Sequence, residues 1–377
     1  MIPARRAHLH VAAVTHPGPA GKANEDRFAV SAHRLSKTDP TPALLAVLAD
    51  GVGGHRAGEV AAEMAVETIS RMVAESDASQ PAAILTRALA HTSQLIFEQS
   101  QRDLAQIGMG TTAVCAWIIG ERLYAASAGD SRLYLLRDGA LHCLTTDHTW
   151  VQEALELGTL SPEEARGHPN AHVIRRYLGS RHPLRADLRL RLEAEENDTQ
   201  AEANQGLRLR PGDRLLLCSD GLTDMVEDDE ILAALKAGQT SEEALYGLVE
   251  LANQRGGHDN ITILCLEMPP GAARDLLQPL KRAGVPCLVA GGLVLVVLLL
   301  AAGMGWYLWR GGGPLGATRT PAALPAITVP ARATLPVGVV PTLRPTQVEA
   351  SETPVPADSP ALPLATYTAW PTNTRGP

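Results

Sequence analysis

The sequence predicts a layered α+β domain over residues 8–268, and the hydrophobic pattern of the chain carries that expectation. Short apolar runs of strand length recur at 9–15, 43–49, 111–119, 122–128, 132–137, 213–219 and 261–267. Two longer stretches, 57–75 and 80–102, instead place Ala, Leu, Ile and Met three and four residues apart, the period of an amphipathic helix. The strands come in runs and the helices as a pair, which fits stacked layers and not a regular βαβ repeat. Residues 193–206, polar throughout, read as a surface loop between two strands.

Composition narrows the function classes. A chain of 377 residues with 45% hydrophobic content has ample material for a core, and length alone would suggest two domains. The formal net charge of -8 excludes the basic footprint of a nucleic-acid binder, and Lys and Arg cluster no further than pairs such as Arg5-Arg6 and Arg175-Arg176. The five cysteines are odd in number and widely spaced, with no C-x-x-C, so neither a zinc site nor a redox pair is indicated. Most lie in apolar runs, where free Cys behaves as a small buried hydrophobe, and this points to a reducing compartment. The N-terminus has no apolar signal-peptide core.

The remaining third of the chain has another character. After a linker at 269–285, residues 286–309 run without a charge, long enough for a single transmembrane helix, and Trp306, Tyr307 and Trp309 gather at one end as an interfacial anchor. Arg274, Lys281 and Arg282 precede this span and Arg310 and Arg319 follow it, a small charge bias. The free cysteines and the missing signal peptide place the N-terminal domain in the cytoplasm and the C-terminal tail outside the cell membrane. Residues 310–377, rich in Pro, Thr and Ala, cannot bury enough apolar surface to offset their ordering entropy, so a disordered, semi-extended tail is expected. Whether it is a sensor or stalk, or has no role, stays open.

The chemistry must then lie before residue 269, where acidic residues sit at the ends of the strand-like runs. Ala43–Ala49 ends in Asp50-Gly51, Leu123–Gly129 in Asp130-Ser131, and Leu215–Ser219 in Asp220-Gly221 with Asp224 four residues on. Asp259-Asn260 opens the run Ile261–Glu267, and Glu25-Asp26 opens Phe28–Val30. One Asp-Gly is an ordinary turn pair. Five such cases in one domain are not, because carboxylates at the rim of a core are costly unless something positive meets them. Oxygen donors without His or Cys neighbours select hard cations, Mg²⁺ or Mn²⁺. No EF-hand spacing occurs. Two ions a few Å apart would activate a bridging water for attack on phosphorus or a carbonyl. The D-G-V-G-G-H turn at 50–55 lets backbone approach an ion or anion, and no Walker lysine follows it.

In order, N-E-D (24–26), A-D-G-V-G-G-H-x-A-G-E (49–59), M-G-T-T (109–112), A-G-D-S-R (128–132), T-x-D-H (145–148), L-G (178–179), P-G-D-x-L-L-L-C-S-D-G-L-x-D (211–224) and G-G-H-D-N-I-T (256–262) resemble the metal-dependent Ser/Thr protein phosphatases of the protein phosphatase 2C type, in a bacterial membrane-anchored form. The resemblance covers nearly all of residues 8–268. It implies a four-layer α-β-β-α sandwich with two Mn²⁺ or Mg²⁺ ions at one end of its sheets. By the same resemblance the catalytic carboxylates are Asp50, Asp220 and Asp259. Asp50 bridges both ions, the Gly51 carbonyl joins one, and Asp220 and Asp259 hold the second. Glu25 and Asp26 act at the first ion, partly through waters, and Asp130 and Asp224 with Asp220 hold a third, weaker ion. The segment 150–180 corresponds to a mobile flap. Phosphorylated proteins are the implied partners.

Two positions depart from the family pattern. Where many members grip the substrate phosphate with Arg, this chain has Gly21 with Lys22 beside it, and Lys22 is either the substitute grip or a solvated loop residue. Where some animal members carry a general-acid His, Val52 stands, and His55 reads better as a helix-start residue. The leading expectation is a phosphoprotein phosphatase opposing Ser/Thr kinases at a membrane. The alternative is a weak or inactive phosphatase-like signalling module that binds phosphoproteins. A metal-dependent nuclease is disfavoured by the acidic balance. Oligomeric state is not legible.

Overall fold

The computed structural model describes residues 1–18, 23–53, 57–165, 167–237 and 240–269. In chain order the strands are β1 (Ile2–Pro3), β2 (His10–His16), β3 (Arg27–Arg34), β4 (Pro42–Ala49), β5 (Gly51–Val52), β6 (Gly110–Thr111), β7 (Ala113–Ile119), β8 (Arg122–Ala128), β9 (Arg132–Arg137), β10 (Ala140–Cys143), β11 (Leu207–Arg208), β12 (Arg214–Cys218) and β13 (Ile261–Glu267). The helices are α1 (Ala57–Glu75), α2 (Pro81–Arg102), α3 (Trp150–Glu156), α4 (Pro162–Ala165), α5 (Asp198–Ala203), α6 (Asp220–Thr223), α7 (Asp228–Lys236) and α8 (Ser241–Gln254).

Alternation along the strands builds the layers, because successive side chains leave opposite faces of a sheet. One sheet has the order β1-β3-β4-β7-β8-β11 and the other β10-β9-β12-β13-β2, with antiparallel pairing throughout both. On β4, Leu44, Ala46 and Leu48 face inward and meet Leu133, Leu135, Leu215, Leu217, Leu264 and Leu266 of the second sheet. The intervening residues Leu45, Val47 and Ala49 face outward, with Cys115 and Trp117, onto Ala61, Ala65, Ile69, Leu85 and Leu89 of α1 and α2. The second sheet repeats the device: Tyr134, Leu216, Cys218, Ile263 and Cys265 turn outward onto Ile231, Leu235, Leu245 and Leu248 of α7 and α8. Three apolar layers therefore separate four structural ones, helix, sheet, sheet, helix.

The two helices expected from periodicity, α1 and α2, and most of the expected strands fall where the pattern places them, while α3, α4, α6, α7 and α8 are not among those expected, and three further differences stand out. The run 111–119 is broken at Thr112. Its first residue pairs with Gly51 in the short β5–β6 ribbon and only 113–119 joins the large sheet. The expected loop 193–206 contains α5, started by a capping box in which Asn197 accepts from Gln200 N and the Gln200 side chain from Asn197 N. Ala201 is its one buried residue, so a polar sequence with no apolar stripe still forms a helical turn. Finally β1 pairs with β3, placing sheet structure before residue 8. The cysteines in the described residues, Cys115, Cys143, Cys218 and Cys265, are free, and all but Cys143 are buried.

Among the described residues no helix is long and apolar enough to cross a membrane. The expected span 286–309, the linker from residue 270 onward, the tail 310–377, and Gly21, Lys22 and His55 all lie outside the described residues.

Leu217 is fully buried between the two sheets on a central strand. Leu217→Ala should cost about 2–5 kcal/mol, whereas Leu104→Ala, at an 87% exposed site, should stay within about 0.5 kcal/mol. Urea unfolding with unchanged m-values checks both.

Candidate metal centre

The ends of four strands converge on one cleft of about 710 Å³. Glu25, Asp50, Gly51, Asp220, Asp224 and Asp259 all line it, so six of the eight expected ligand positions meet there. The other two, Asp26 and Asp130, are buried behind that lining, 3% and 6% exposed. No Lys or Arg lines the cleft among the described residues.

The motifs explain how the carboxylates are held. Asp50 leaves β4 with its N–H donated to Thr112 Oγ1 (3.0 Å), while its carbonyl accepts from Thr112 N (2.8 Å) and Thr111 Oγ1 (2.7 Å). This backbone clamp is why the M-G-T-T segment breaks its strand. Glu25 N–H donates to Asn260 Oδ1 (2.8 Å), and Asn260 Nδ2 donates to the Pro17 and Ala23 carbonyls, which ties the N-E-D and D-N-I-T segments together. Ser219 Oγ donates to Asp26 Oδ2 (2.8 Å) and accepts from Thr262 N (3.0 Å). Asp130 follows β8 beside Gly129, whose carbonyl lies 2.9 Å from Nδ1 of the buried His148, with His148 Nε2 3.0 Å from Asp187. Arg132 pairs with Asp147 at 2.7 Å, so that T-x-D-H braces the strand end.

Two glycines permit the approach. A Cβ at Gly58 would collide with Glu25 Oε2, and one at Gly221 would collide with the Asn260 carbonyl. Larger residues would push these segments apart.

The electrostatics are those of crowded like charges. Burial raises the Asp50 carboxyl well above the usual range, and the charges of Asp26, Asp220 and Asp130 raise it further. Burial, then the charges of Asp130 and Asp224, do the same to Asp220. Asp26 is pushed to about 6 by burial and by Asp259, against hydrogen bonds from Thr262 and Ser219. Asp130 is pushed to about 6 by burial, Asp147 and Asp224. Burial also raises Asp224, opposed by His172 and Arg132. Oδ1 of Asp26, of Asp130 and of Asp220 is buried and has no hydrogen-bond partner among the described residues. Buried carboxylate oxygens without donors fit a hard divalent cation.

Sequence reasoning missed His172, whose Nδ1 lies 3.3 Å from Asp224 Oδ2 and which groups with Asp220 and Asp224. The H-P-x-x-H spacing at 168–172 was the available signal. Asn260, Ser219 and Thr112 were inside quoted motifs but were not singled out.

A family model described as protein phosphatase 2C matches residues 19–254. The serine/threonine protein phosphatase PstP of Mycobacterium tuberculosis is 38% identical over 246 residues, which is 65% of this chain but only 44% of that protein's length. The serine/threonine phosphatase stp of Listeria monocytogenes is 36% identical over 276 residues, 72% of this chain and 98% of that protein. The crystal structure of the catalytic domain of PstP in complex with two manganese ions superposes with a TM-score of 0.55 at 34% identity, over 69% of this chain and 97% of that one.

Raised carboxyl pKa values fix the sign of a pH effect. A carboxyl with folded pKa near 6 against an unfolded 3.8 stabilises the metal-free fold below about pH 4, and this contribution is lost as pH rises through 6. Each unit corresponds to about 1.4 kcal/mol. The rise in melting temperature on adding Mn²⁺ should therefore be larger at pH 7 than at pH 5, read by thermal denaturation. An equal or smaller rise at pH 7 would contradict it.

Proposed function

The chain belongs to the protein phosphatase 2C family, and from that premise we propose that it hydrolyses phosphoserine and phosphothreonine in proteins, using two Mn²⁺ or Mg²⁺ ions, while tethered to a membrane. The observation that carries this reading is the cleft itself: five carboxylates, no described Lys or Arg, and orphaned buried oxygens behind them. A phosphate dianion entering such a cleft alone would be repelled, so cations must precede it.

Asp50 sits centrally, flanked by Asp26, Asp220 and Asp130, and would contribute to holding both ions. The Gly51 carbonyl and Glu25 would help hold one ion, and Asp220 and Asp259 the other. Bound divalent ions would lower the pKa of a water and stabilise charge on the phosphoryl oxygens. The chain's own residues contribute position: the Thr111–Thr112 clamp fixes Asp50, and Asn260 fixes Glu25. Val52 lines the cleft where an acid could stand, so the leaving oxygen takes its proton from water. Lys22 remains the candidate to orient the phosphate, as a point charge without a bidentate fork.

The tether rests on the charge-free run 286–309, and the orientation, catalytic domain in the cytoplasm and tail outside, on the free cysteines and flanking charges. Opposition to Ser/Thr kinases follows from the substrate class. A non-catalytic phosphoprotein-binding module is the second reading, favoured by Gly21 where many members have Arg.

The purified chain in detergent should release phosphate from a phosphoserine peptide with Mn²⁺ and stop with chelator. Asp50→Asn should lower kcat by about 10³-fold, since metal-centred charge stabilisation is worth several kcal/mol at about 1.4 kcal/mol per tenfold. Turnover unaffected by chelator or by Asp50→Asn would sink the two-ion reading; peptide binding without turnover would favour the second. The full chain should sediment with membranes and residues 1–270 should not, and recovery of the full chain in the soluble fraction would refute the tether.

A further inference from the structure

His172 stands apart from the carboxylates in sequence and chemistry, yet reaches them in space. Its Nδ1 is 3.3 Å from Asp224 Oδ2, and one ligand atom each from His172, Asp220 and Asp224 lie within 4.8 Å of one another. Behind them is Asp130, 6% exposed, and the buried Oδ1 atoms of both Asp130 and Asp220 have no hydrogen-bond partner among the described residues. A lone ion pair between His172 and Asp224 would leave those two oxygens unanswered.

We infer that His172 supplies an imidazole nitrogen to the third, weaker cation that the family resemblance assigns to Asp130, Asp220 and Asp224 beside the ion pair centred on Asp50, a ligand that the resemblance does not supply. The inference rests on reading the carboxylate cluster as a cation centre and deepens it. A mixed nitrogen–oxygen set discriminates among cations: imidazole favours first-row transition ions, whereas all-oxygen sites suit Mg²⁺. This site should prefer Mn²⁺ over Mg²⁺ more strongly than the Asp50 centre does.

The position of His172 gives the cation a mechanical role. The next three residues are pinned: Val173 O accepts from Trp150 N (2.9 Å), Ile174 bridges to Thr149, and Arg175 N donates to His148 O (2.7 Å). Ile174 lines the same cleft as His172, Asp220 and Asp224, the last two being the first residue and the C-cap of α6. A cation bound by His172 therefore fastens residues 172–175 to Asp220 and Asp224, so that ion occupancy and the wall of the substrate cleft are linked.

His172 is a 69% exposed side chain, so its removal should leave the fold intact. The full metal-free chain in detergent is titrated with Mn²⁺ alone, free ion being counted by electron paramagnetic resonance and nitrogen ligation read by electron spin-echo modulation. The wild-type chain should show imidazole-nitrogen modulation in its weakest class of Mn²⁺. In His172→Ala that modulation should vanish and the weakest class weaken at least about tenfold, since even outer-shell losses cost that much. The tighter classes should persist, and His258→Ala, another cleft histidine, should retain the signal. Unchanged modulation and affinity in His172→Ala, or loss of the signal in His258→Ala instead, would overturn the inference while leaving the cation centre standing. No Mn²⁺ binding at all would overturn both.

Discussion

Carboxylates repel one another more strongly as they leave water, and this fold gathers seven of them at one end of its two sheets. Asp26, Asp50, Asp130 and Asp220 each feel burial and at least one negative neighbour, and each is pushed above its usual range as a result. No local propensity favours that arrangement; the rest of the architecture has to impose it. The two sheets do so by ending strands at a common edge, and three apolar layers hold those ends in register. Around the edge, Thr112 and Asn260 fix backbone, and Ser219 joins the Thr262 backbone to one Asp26 oxygen, while Oδ1 of Asp26, Asp130 and Asp220 is left without a hydrogen-bond partner among the described residues. A bound cation would resolve the repulsion that the metal-free cluster carries.

Much of this was legible in the sequence because two periodicities are strict. The alternation in Pro42–Ala49 assigns Leu44, Ala46 and Leu48 to one core and Leu45, Val47 and Ala49 to another, and the helical period marks α1 residue for residue. The carboxylates were legible because each closes or opens such a run. Pairing partners were not: nothing in the pattern of 111–119 tells that Thr112 would turn its side chain to Asp50 and hand its neighbour to another ribbon. The helix Asp198–Ala203 was hidden by its lack of an apolar stripe, although Asn197 and Gln200 form a readable capping box. The outer helices α7 and α8 carry the same mark, at Glu227–Glu230 and Thr240–Glu243, and were not read from periodicity.

His172 escaped for a different reason. It lies in a segment without hydrophobic rhythm, about fifty residues from Asp220 and Asp224, and only tertiary packing brings its ring to them. That separation is also what gives it interest, since a ligand from a different segment would tie metal occupancy to the shape of the cleft. The acidic lining makes the broader point: specificity for phosphorylated partners would come from cations that this chain recruits, not from a basic groove it carries.

The central claim is that the edge of the two sheets is a multinuclear cation centre organised around Asp50. Anomalous scattering from crystals of the protein grown with Mn²⁺ tests it most directly. The account predicts two strong peaks flanking the Asp50 carboxylate, one toward Glu25 and the Gly51 carbonyl and one toward Asp220 and Asp259. A cleft without anomalous density at saturating Mn²⁺, its carboxylates paired instead with side chains of the protein, would contradict it.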